Sequence, residues 1–288
     1  MQTHTDTRSP LPRESTARII RSDAPAKPNA RLPQATMPRA ADRPAKYRHE
    51  YKYEISLFDF LSLTRTLRAI MQPDPHADQD GQYLITSLYF DNCFDKALRE
   101  KRDGLNQREK FRLRYYGSAP EKVFLEKKQK HAGLCLKSAA PLTLAECELL
   151  LAGQRDWMLA QSERPLLLAG QRDWMLAQSE RPLLAELAFK ARTQLLRPRT
   201  VVRYSRVPFI YAPGNVRVTF DCNLCTGLSA DAFLDDAALA LCSSPQQGGI
   251  ILELKYDEFL PDVIRAALQP YCGTLQAFSK YAQCRGFS

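Results

Sequence analysis

A chain of 288 residues, 44% hydrophobic and 25% charged, has the balance of a globular protein with a sizeable core, in one large domain or two small ones. It contains no apolar run long enough to span a bilayer and no charged-then-apolar leader, so a cytoplasmic location is expected, with its eight cysteines reduced. The net charge of +9 excludes little until its distribution is known.

Taken in chain order, residues 1–46 hold nine Lys/Arg against four Asp/Glu, seven of the 19 prolines and no aromatic residue. Such a segment buries too little to offset its ordering entropy and reads as a disordered basic tail. The folded part, 47–288, then carries only +4, and no specific nucleic-acid partner is expected of it. From Tyr47, "YRHEYKYEI" alternates, with Arg48, Glu50, Lys52 and Glu54 on one face and Tyr51, Tyr53 and Ile55 on the other, the period of a strand. Ser56 and Asp59 form a capping-box pattern ahead of Leu57, Phe60, Leu61, Leu67, Ile70 and Met71 at helical spacing, and Pro73 and Pro75 end that helix. "YLITSLYF" reads as a strand and "FDKALREK" as a short helix closed near Gly104. "KFRLRYYG" sets Lys110, Arg112 and Arg114 on one face, and "VFLEKKQK" does the same with Glu126, Lys128 and Lys130. "TLAECELLLAG" is a helix, capped by Thr143 with Glu146 and stopped at Gly153.

Residues 149–182 are two identical copies of "LLLAGQRDWMLAQSERP". The period is shorter than that of solenoid units and two copies are too few to stack a core, so the stretch reads as a tandem duplication inside the domain rather than a functional repeat. A fold built for one copy has one place for its tryptophan, so either Trp157 or Trp174 is expected to dock. Next, "LLAELAFKARTQLL", with Glu186, Lys190 and Arg192 in step, reads as a strand. "TVVRYSRVPFIY", "VRVTFDCNL" and "IILELKYD" read likewise, the second with Arg217, Thr219 and Asp221 on one face, the third with Glu253 and Lys255. Cys222 and Cys225 form a lone C-x-x-C, taken as two ordinary thiols. "PDVIRAALQPY" is helical from Pro261, and "LQAFSKYAQCR" is a last helix or turn. About eight strands with interspersed helices and no strict alternation indicate an α+β fold on a mainly antiparallel sheet.

The polar faces of these strands are unusual. At least five bring Arg or Lys at i and i+2, often with one Glu in the row. If the sheet closes into a barrel, those rows line a lumen suited to chained phosphates, where a Glu could hold a divalent metal bridging phosphate oxygens. An open sheet with a basic, solvated face satisfies the same periodicity.

The segments "YRHEYKYEI", "SLYFDN", "EKRDGLNQREKFRLRYYG", "VFLEKKQKHAGLCLK", "ELAFKARTQLLRP", "NVRVTFD", "ILELKYDEFLPD" and "AFSKYAQCR", in order over Tyr47 to Arg285, resemble the VTC-type polyphosphate polymerase domain. That family belongs to the triphosphate tunnel metalloenzymes, which include the CYTH-type triphosphatases. The resemblance implies an antiparallel eight-stranded β-barrel around a polar tunnel, helices outside, and transfer of the ATP γ-phosphate to a growing polyphosphate chain with Mn²⁺ or Mg²⁺. By the same resemblance Lys52, Arg112, Arg114, Lys128 and Lys280 are the catalytic cations, and Arg206, Arg217, Lys255 and Arg48 bind substrate. Glu253 is the metal ligand, with Glu50 and Glu126 as further candidates. ATP and polyphosphate are the implied partners. The eukaryotic members' regulatory and membrane domains have no counterpart here, so tethering to the inner membrane face would need a separate membrane protein. CYTH-type hydrolases open with E-x-E-x-K, whereas Arg48 gives this chain R-x-E-x-K; the lost acid favours the polymerase over a triphosphatase, and a non-catalytic polyphosphate-binding module is the remaining alternative.

Overall fold

A computed structural model describes residues 47–286 apart from 161, 162, 165, 167–169, 245–248 and 274–277, and apart from the side chains of Trp174 and Gln178. The tail expected over 1–46 lies outside the described residues. In chain order the elements are β1 (His49–Ile55), α1 (Leu57–Ile70), β2 (Gln72–Pro73), β3 (Tyr83–Asp91), α2 (Lys96–Arg102), β4 (Arg108–Tyr116), β5 (Val123–His131) and β6 (Leu134–Leu142). Then come α3 (Leu144–Leu151), α4 (Arg172–Gln178), α5 (Pro182–Thr193), β7 (Arg197–Tyr211), β8 (Val216–Gly227), β9 (Leu241–Ser243), β10 (Ile250–Tyr256), α6 (Asp262–Leu268) and α7 (Lys280–Arg285).

Eight strands pair antiparallel in the order β1-β10-β8-β7-β3-β4-β5-β6, with β2 added to β7 and β9 to β8. The sheet curls until its two ends touch: the Arg48 N–H donates to the Cys135 carbonyl at 3.0 Å, and the Cys135 N–H to the Arg48 carbonyl at 3.1 Å. This is the expected α+β fold, a curled eight-stranded antiparallel barrel with α1, α3, α4, α5 and α6 packed outside. Strand alternation decides what faces where. The outer positions of β1, β8 and β10 (Tyr53, Val218, Phe220, Leu252, Leu254) pack under Leu63 and Leu67 of α1 and Ile264 of α6. Those of β4 and β5 (Phe111, Leu113, Tyr115, Leu125) pack under Cys147 of α3, Met175 of α4 and Leu184, Leu187 and Ala188 of α5. A third cluster lies on the inner face, where Ala97 and Leu98 of α2 and Tyr281 and Cys284 of α7 pack against Tyr89 and Tyr204. Both predicted capping boxes are present: Ser56 accepts from the Asp59 N–H, and Thr143 from the Glu146 N–H. Among the described residues no helix is long and apolar enough to cross a membrane.

Two expectations are corrected. "ELAFKART" is helical, not a strand. Pro182 occupies its first turn, the buried Leu184, Leu187, Ala188 and Ala191 recur at helical spacing, and Glu186 and Lys190 form an i,i+4 ion pair at 3.0 Å. The eighth strand is β6, which follows a two-residue turn with Ala132 at φ 46° and Gly133 at φ 86°. That pair of left-handed residues makes a tight hairpin, but "Ala-Gly" is a weaker sequence signal for it than Asn-Gly. The alanines and proline of "KSAAPL" are also poor strand formers.

The duplicated copies do not repeat one structure. "DWM" of the first forms a 3₁₀ turn, Asp156–Met158, whereas "RDWMLAQ" of the second forms α4. Met158 and Met175 are nevertheless both buried in the same outer core, so both copies contribute to packing. Trp157 is half-buried and its Nε1 donates to the Gln154 carbonyl at 3.0 Å; the Trp174 side chain lies outside the described residues. Deleting 166–182 is therefore expected to lower the melting temperature, since one copy cannot fill both places, while leaving activity unchanged because no inner-face residue is lost. A thermal melt and an activity assay on the same preparation check both halves.

Candidate active site

The register brings the charged rows together. Around one side of the curl, Glu50 pairs with Lys255 and Lys255 with Arg217; Lys52 pairs with Glu253; and Asp221 pairs with Arg206. On the other side Arg112 stands opposite Glu126 and Lys110 opposite Lys128. Glu50, on β1, reaches Lys128, on β5, whose Nζ donates to its two carboxylate oxygens at 2.6 and 2.7 Å.

From there the ion pairs are continuous. Lys52 Nζ lies 3.2 Å from Glu50 and 3.6 Å from Glu253. The Glu253 carboxylate also meets Lys255 at 2.9 Å and Arg206 at 3.1 Å. Arg206 grips Asp221 with a fork, Nε at 2.6 Å and Nη2 at 2.8 Å, and Lys280 of α7 pairs with the same carboxylate. A second group centres on Glu126, which accepts from Arg112 Nε at 2.8 Å and pairs with Arg112 Nη2 at 2.7 Å, Lys137 at 2.5 Å and Arg114 at 3.8 Å. Tyrosines link the two groups. Arg114 donates to the Tyr204 hydroxyl at 3.2 Å, Arg206 to the same hydroxyl at 3.4 Å, and Arg112 to the Tyr89 hydroxyl at 2.9 Å. Lys280 sits 4.7 Å from the Tyr204 ring centroid.

Charge sets protonation. Burial opposes the ionised form of every group here, and the cations overcome it at the acids. Lys52, Lys128 and Lys255 outweigh burial and Glu253 to hold Glu50 down at about 2, and Arg206 and Lys280 hold Asp221 at about 2. Glu253 and Glu126 are likewise held below the usual carboxylate range. Burial would lower Lys52, but Glu253, Glu50 and Asp221 raise it above an ordinary lysine. Lys110 goes the other way. Among the described residues no carboxylate pairs with it, and burial together with Lys128, Lys52, Arg108 and Lys101 lowers it to about 7.

Of the residues expected at the site, Lys52, Lys128, Lys255, Arg206, Lys280, Glu50 and Glu253 fall in the first network, and Arg112, Arg114 and Glu126 in the second. Two stand apart. Arg217 is held by Asp74 at 2.5 Å and by the Tyr83 hydroxyl at 2.7 Å. Arg48 pairs with Asp257 at 2.7 Å and also donates to the Asn215 carbonyl. Sequence reasoning left Asp221, Lys110, Lys137, Tyr89 and Tyr204 unassigned. Asp221 and Lys110 were visible on charged strand faces; Asp74, in a loop after α1, gave no signal.

The acids can be tested against the implied metal. Among the described residues no three His, Cys, Asp or Glu side chains form a group that could hold an ion alone. Glu50 and Glu253 do flank a common point, both paired to Lys52. A divalent cation that takes one or two protein carboxylates and completes its shell with phosphate oxygens and water fits such a donor set; a fully protein-built cage does not.

No curated protein matches the chain. Among solved structures, a Bacillus halodurans protein assigned to the adenylate cyclases is 14% identical with a TM-score of 0.46, over 85% of this chain and 99% of that one. An adenylyl-cyclase-assigned protein from Hippeastrum with a dominant triphosphatase activity is 12% identical with a TM-score of 0.39, over 78% of this chain and 85% of that one. A Pyrococcus horikoshii protein is 10% identical with a TM-score of 0.38, over 82% and 98%. The VTC domain model matches residues 47–287, nearly all of the described chain, and the protein belongs to the VTC domain family.

Proposed function

We propose that the protein is a polyphosphate polymerase that moves the γ-phosphate of ATP onto the end of a polyphosphate chain inside the barrel. Family membership supports a function on triphosphate or polyphosphate. The observation that carries the finer reading is at Arg48. The position where a hydrolase-type opening would add another acid is an arginine, turned onto Asp257, so among the described residues the acids that pair with Lys52 are Glu50 and Glu253. A site whose oriented cations outnumber its acids suits transfer between two polyanions, whose mutual repulsion is the main obstacle to their approach.

In this reading Arg112, Arg114, Lys128 and Lys280 hold the triphosphate. Phosphoryl transfer needs little covalent help from protein groups, so positioning and charge stabilisation supply the catalysis. Arg forks fix the orientation of phosphate oxygens, and Lys52, between Glu50 and Glu253, keeps its proton throughout and serves as a fixed positive charge. Glu253 and Glu50 would hold a Mn²⁺ or Mg²⁺ ion, which when bound neutralises phosphate charge. The test is incubation of the purified protein with ATP and Mn²⁺: acid-labile polymer with stoichiometric ADP is expected. Orthophosphate alone would make the protein a triphosphatase, and tight polyphosphate binding without turnover would make it a binding module.

Lys110 gives this reading a pH signature. Lys128, Lys52, Arg108 and Lys101 face its amine as cations, and α7 with its cap supplies, among the described residues, the Ser279 hydroxyl at 3.1 Å and the Tyr281 ring. With its pKa at about 7 in the empty protein, the amine is largely neutral at pH 8 to 9, and a phosphate chain beside it favours the charged form. Polyphosphate binding is therefore expected to take up a proton above pH 7 and to weaken as pH rises. Below about pH 6 the amine is already charged and uptake should vanish. Calorimetry in buffers of different ionisation enthalpy reads the uptake directly, and Lys110→Met should reduce it, leaving the share of Lys255, which burial lowers to about 8.

A further inference from the structure

The segments "SLYFDN" and "AFSKYAQCR" each contain a buried residue that the clamp does not use, Asp91 in the first and Tyr281 in the second. The Tyr281 hydroxyl donates to Asp91 Oδ2 at 2.6 Å. The same carboxylate accepts from the Asn92 N–H at 2.9 Å, and from the Ala97 and Leu98 N–H groups at 2.9 and 3.2 Å in the first turn of α2. One side chain thus ties β3, α2 and α7 together. A second tie lies one helical turn further along α7, where Arg285 Nε donates to Asp95 Oδ1 at 2.9 Å. Asp95, at φ 51°, is the residue just ahead of α2. The short α7 needs such ties. Its six residues are too few to hold a helix alone, so its contacts decide where it lies. Its first residue is Lys280, whose amine pairs with Asp221 and lies 4.7 Å from the Tyr204 ring centroid. Arg112, Arg114 and Lys128 stand on β4 and β5, where the ladder fixes their backbone. Lys280 stands on no strand.

We propose that Asp91, acting through Tyr281, is a positioning residue for Lys280: it fixes α7 so that the Lys280 amine faces the triphosphate, with the Arg285–Asp95 pair as a second anchor. The inference deepens the proposed function and rests on it for the place of Lys280 in the clamp. Tyr281 follows Lys280 directly, so a shift of its side chain displaces the backbone that carries the amine. A misplacement of about 1 Å at a positioning group costs about 100-fold in rate. The Tyr281 ring is held separately, 5.1 Å from the Tyr89 ring, so the hydroxyl can be removed without opening a cavity. Burial, and after it Asp91, pushes the phenol above its ordinary range. The hydroxyl therefore stays a donor at any pH suited to an assay, and the anchor does not titrate.

The test is a double-mutant cycle on the full chain: Tyr281→Phe, Lys280→Ala and the two together, each titrated calorimetrically with tripolyphosphate in the absence of divalent cation. Lys280→Ala is expected to weaken binding about 10- to 100-fold, the worth of one charged hydrogen bond. Tyr281→Phe should weaken it about three- to tenfold, although the hydroxyl it removes faces Asp91. In the Lys280→Ala background the same substitution should change affinity by less than about twofold, because no amine is left to position. Equal losses in both backgrounds, or no loss from Tyr281→Phe alone, would overturn the inference. The structural share of the hydroxyl is read apart, as a fall in melting temperature common to both backgrounds. Arg285→Ala, at the half-buried second anchor, leaves the Asp91 contacts in place and decides the question by the same cycle if Tyr281→Phe does not fold. The readout is binding, so a protein that makes no polymer from ATP would refute the polymerase reading and leave this measurement standing.

Discussion

Glu253→Gln is expected to lower ATP-dependent turnover by about 100- to 1,000-fold, the usual cost of removing one preorganised electrostatic group from a phosphoryl-transfer site. Tripolyphosphate binding measured without divalent cation should move the other way and tighten. The carboxylate lies 2.9 Å from Lys255, 3.1 Å from Arg206 and 3.6 Å from Lys52, and neutralising it leaves three cations facing the lumen with less to oppose an incoming anion. Fold stability should drop as well. Breaking a buried ion pair from one side costs about 3–5 kcal/mol, or about 6–20 °C in a domain of this size. Phosphate should recover part of that loss, because it supplies the missing negative charge. The split separates a metal ligand from a structural acid. If metal-free binding of tripolyphosphate fell along with turnover, Glu253 would be holding the clamp in shape, and the metal assignment would fail.

The same networks show what was legible in the sequence. Strand alternation is a two-residue period, so it reports which side chains share a face without any knowledge of partners. Arg112 with Arg114, Lys52 with Glu50, and Glu253 with Lys255 could all be placed on shared faces from spacing alone, but not on the inside of a barrel. What spacing cannot report is which rows meet across the lumen. The Glu50–Lys128 contact joins strands separated by β6, and β6 was itself hidden by an Ala-Gly turn and weak strand formers. The error at "ELAFKART" has a related origin. Its charges at 186, 190 and 192 were read as a strand row, but the 186–190 spacing is also one helical turn, and the core under β4 and β5 needs a helix there. That helix makes a charged cluster of its own on the outer face. Lys127 meets Glu186 at 2.6 Å and Glu109 at 3.2 Å, and Lys190 pairs with the same two acids. Alternating charge therefore marks two different places, a balanced quartet between α5 and the sheet and the cation-rich inner face, and only the three-dimensional pairing separates them.

The inner face also carries its own counter-charges. The clamp cations are paired with acids that remain ionised at neutral pH, so their side chains are held in place before any phosphate arrives. Such preorganisation removes ordering cost from the binding step, but each acid competes with phosphate for its cation.

That competition can be measured at Arg112 and Glu126, where opposite effects are expected. Arg112→Ala should reduce turnover by about 100- to 1,000-fold and weaken tripolyphosphate binding, because it removes an Arg fork from the clamp. The fold should survive, since Glu126 keeps Lys137 at 2.5 Å and Arg114 at 3.8 Å, and Leu113 and Leu125 anchor β4 and β5 in the outer core regardless. Arg112→Lys should restore part of the binding and little of the turnover, because an ammonium supplies the charge without the planar fork. Glu126→Gln releases Arg112, Arg114 and Lys137 from their shared acid, so tripolyphosphate should bind more tightly than to the unaltered protein. Its release should slow, and turnover should fall if product dissociation becomes limiting. Titrations of the three variants, paired with single-turnover and steady-state rates, separate these effects. If Glu126→Gln weakened binding as Arg112→Ala does, Glu126 would be fixing Arg112 in its productive orientation and not competing for it, and the charge-competition account of the site would be wrong.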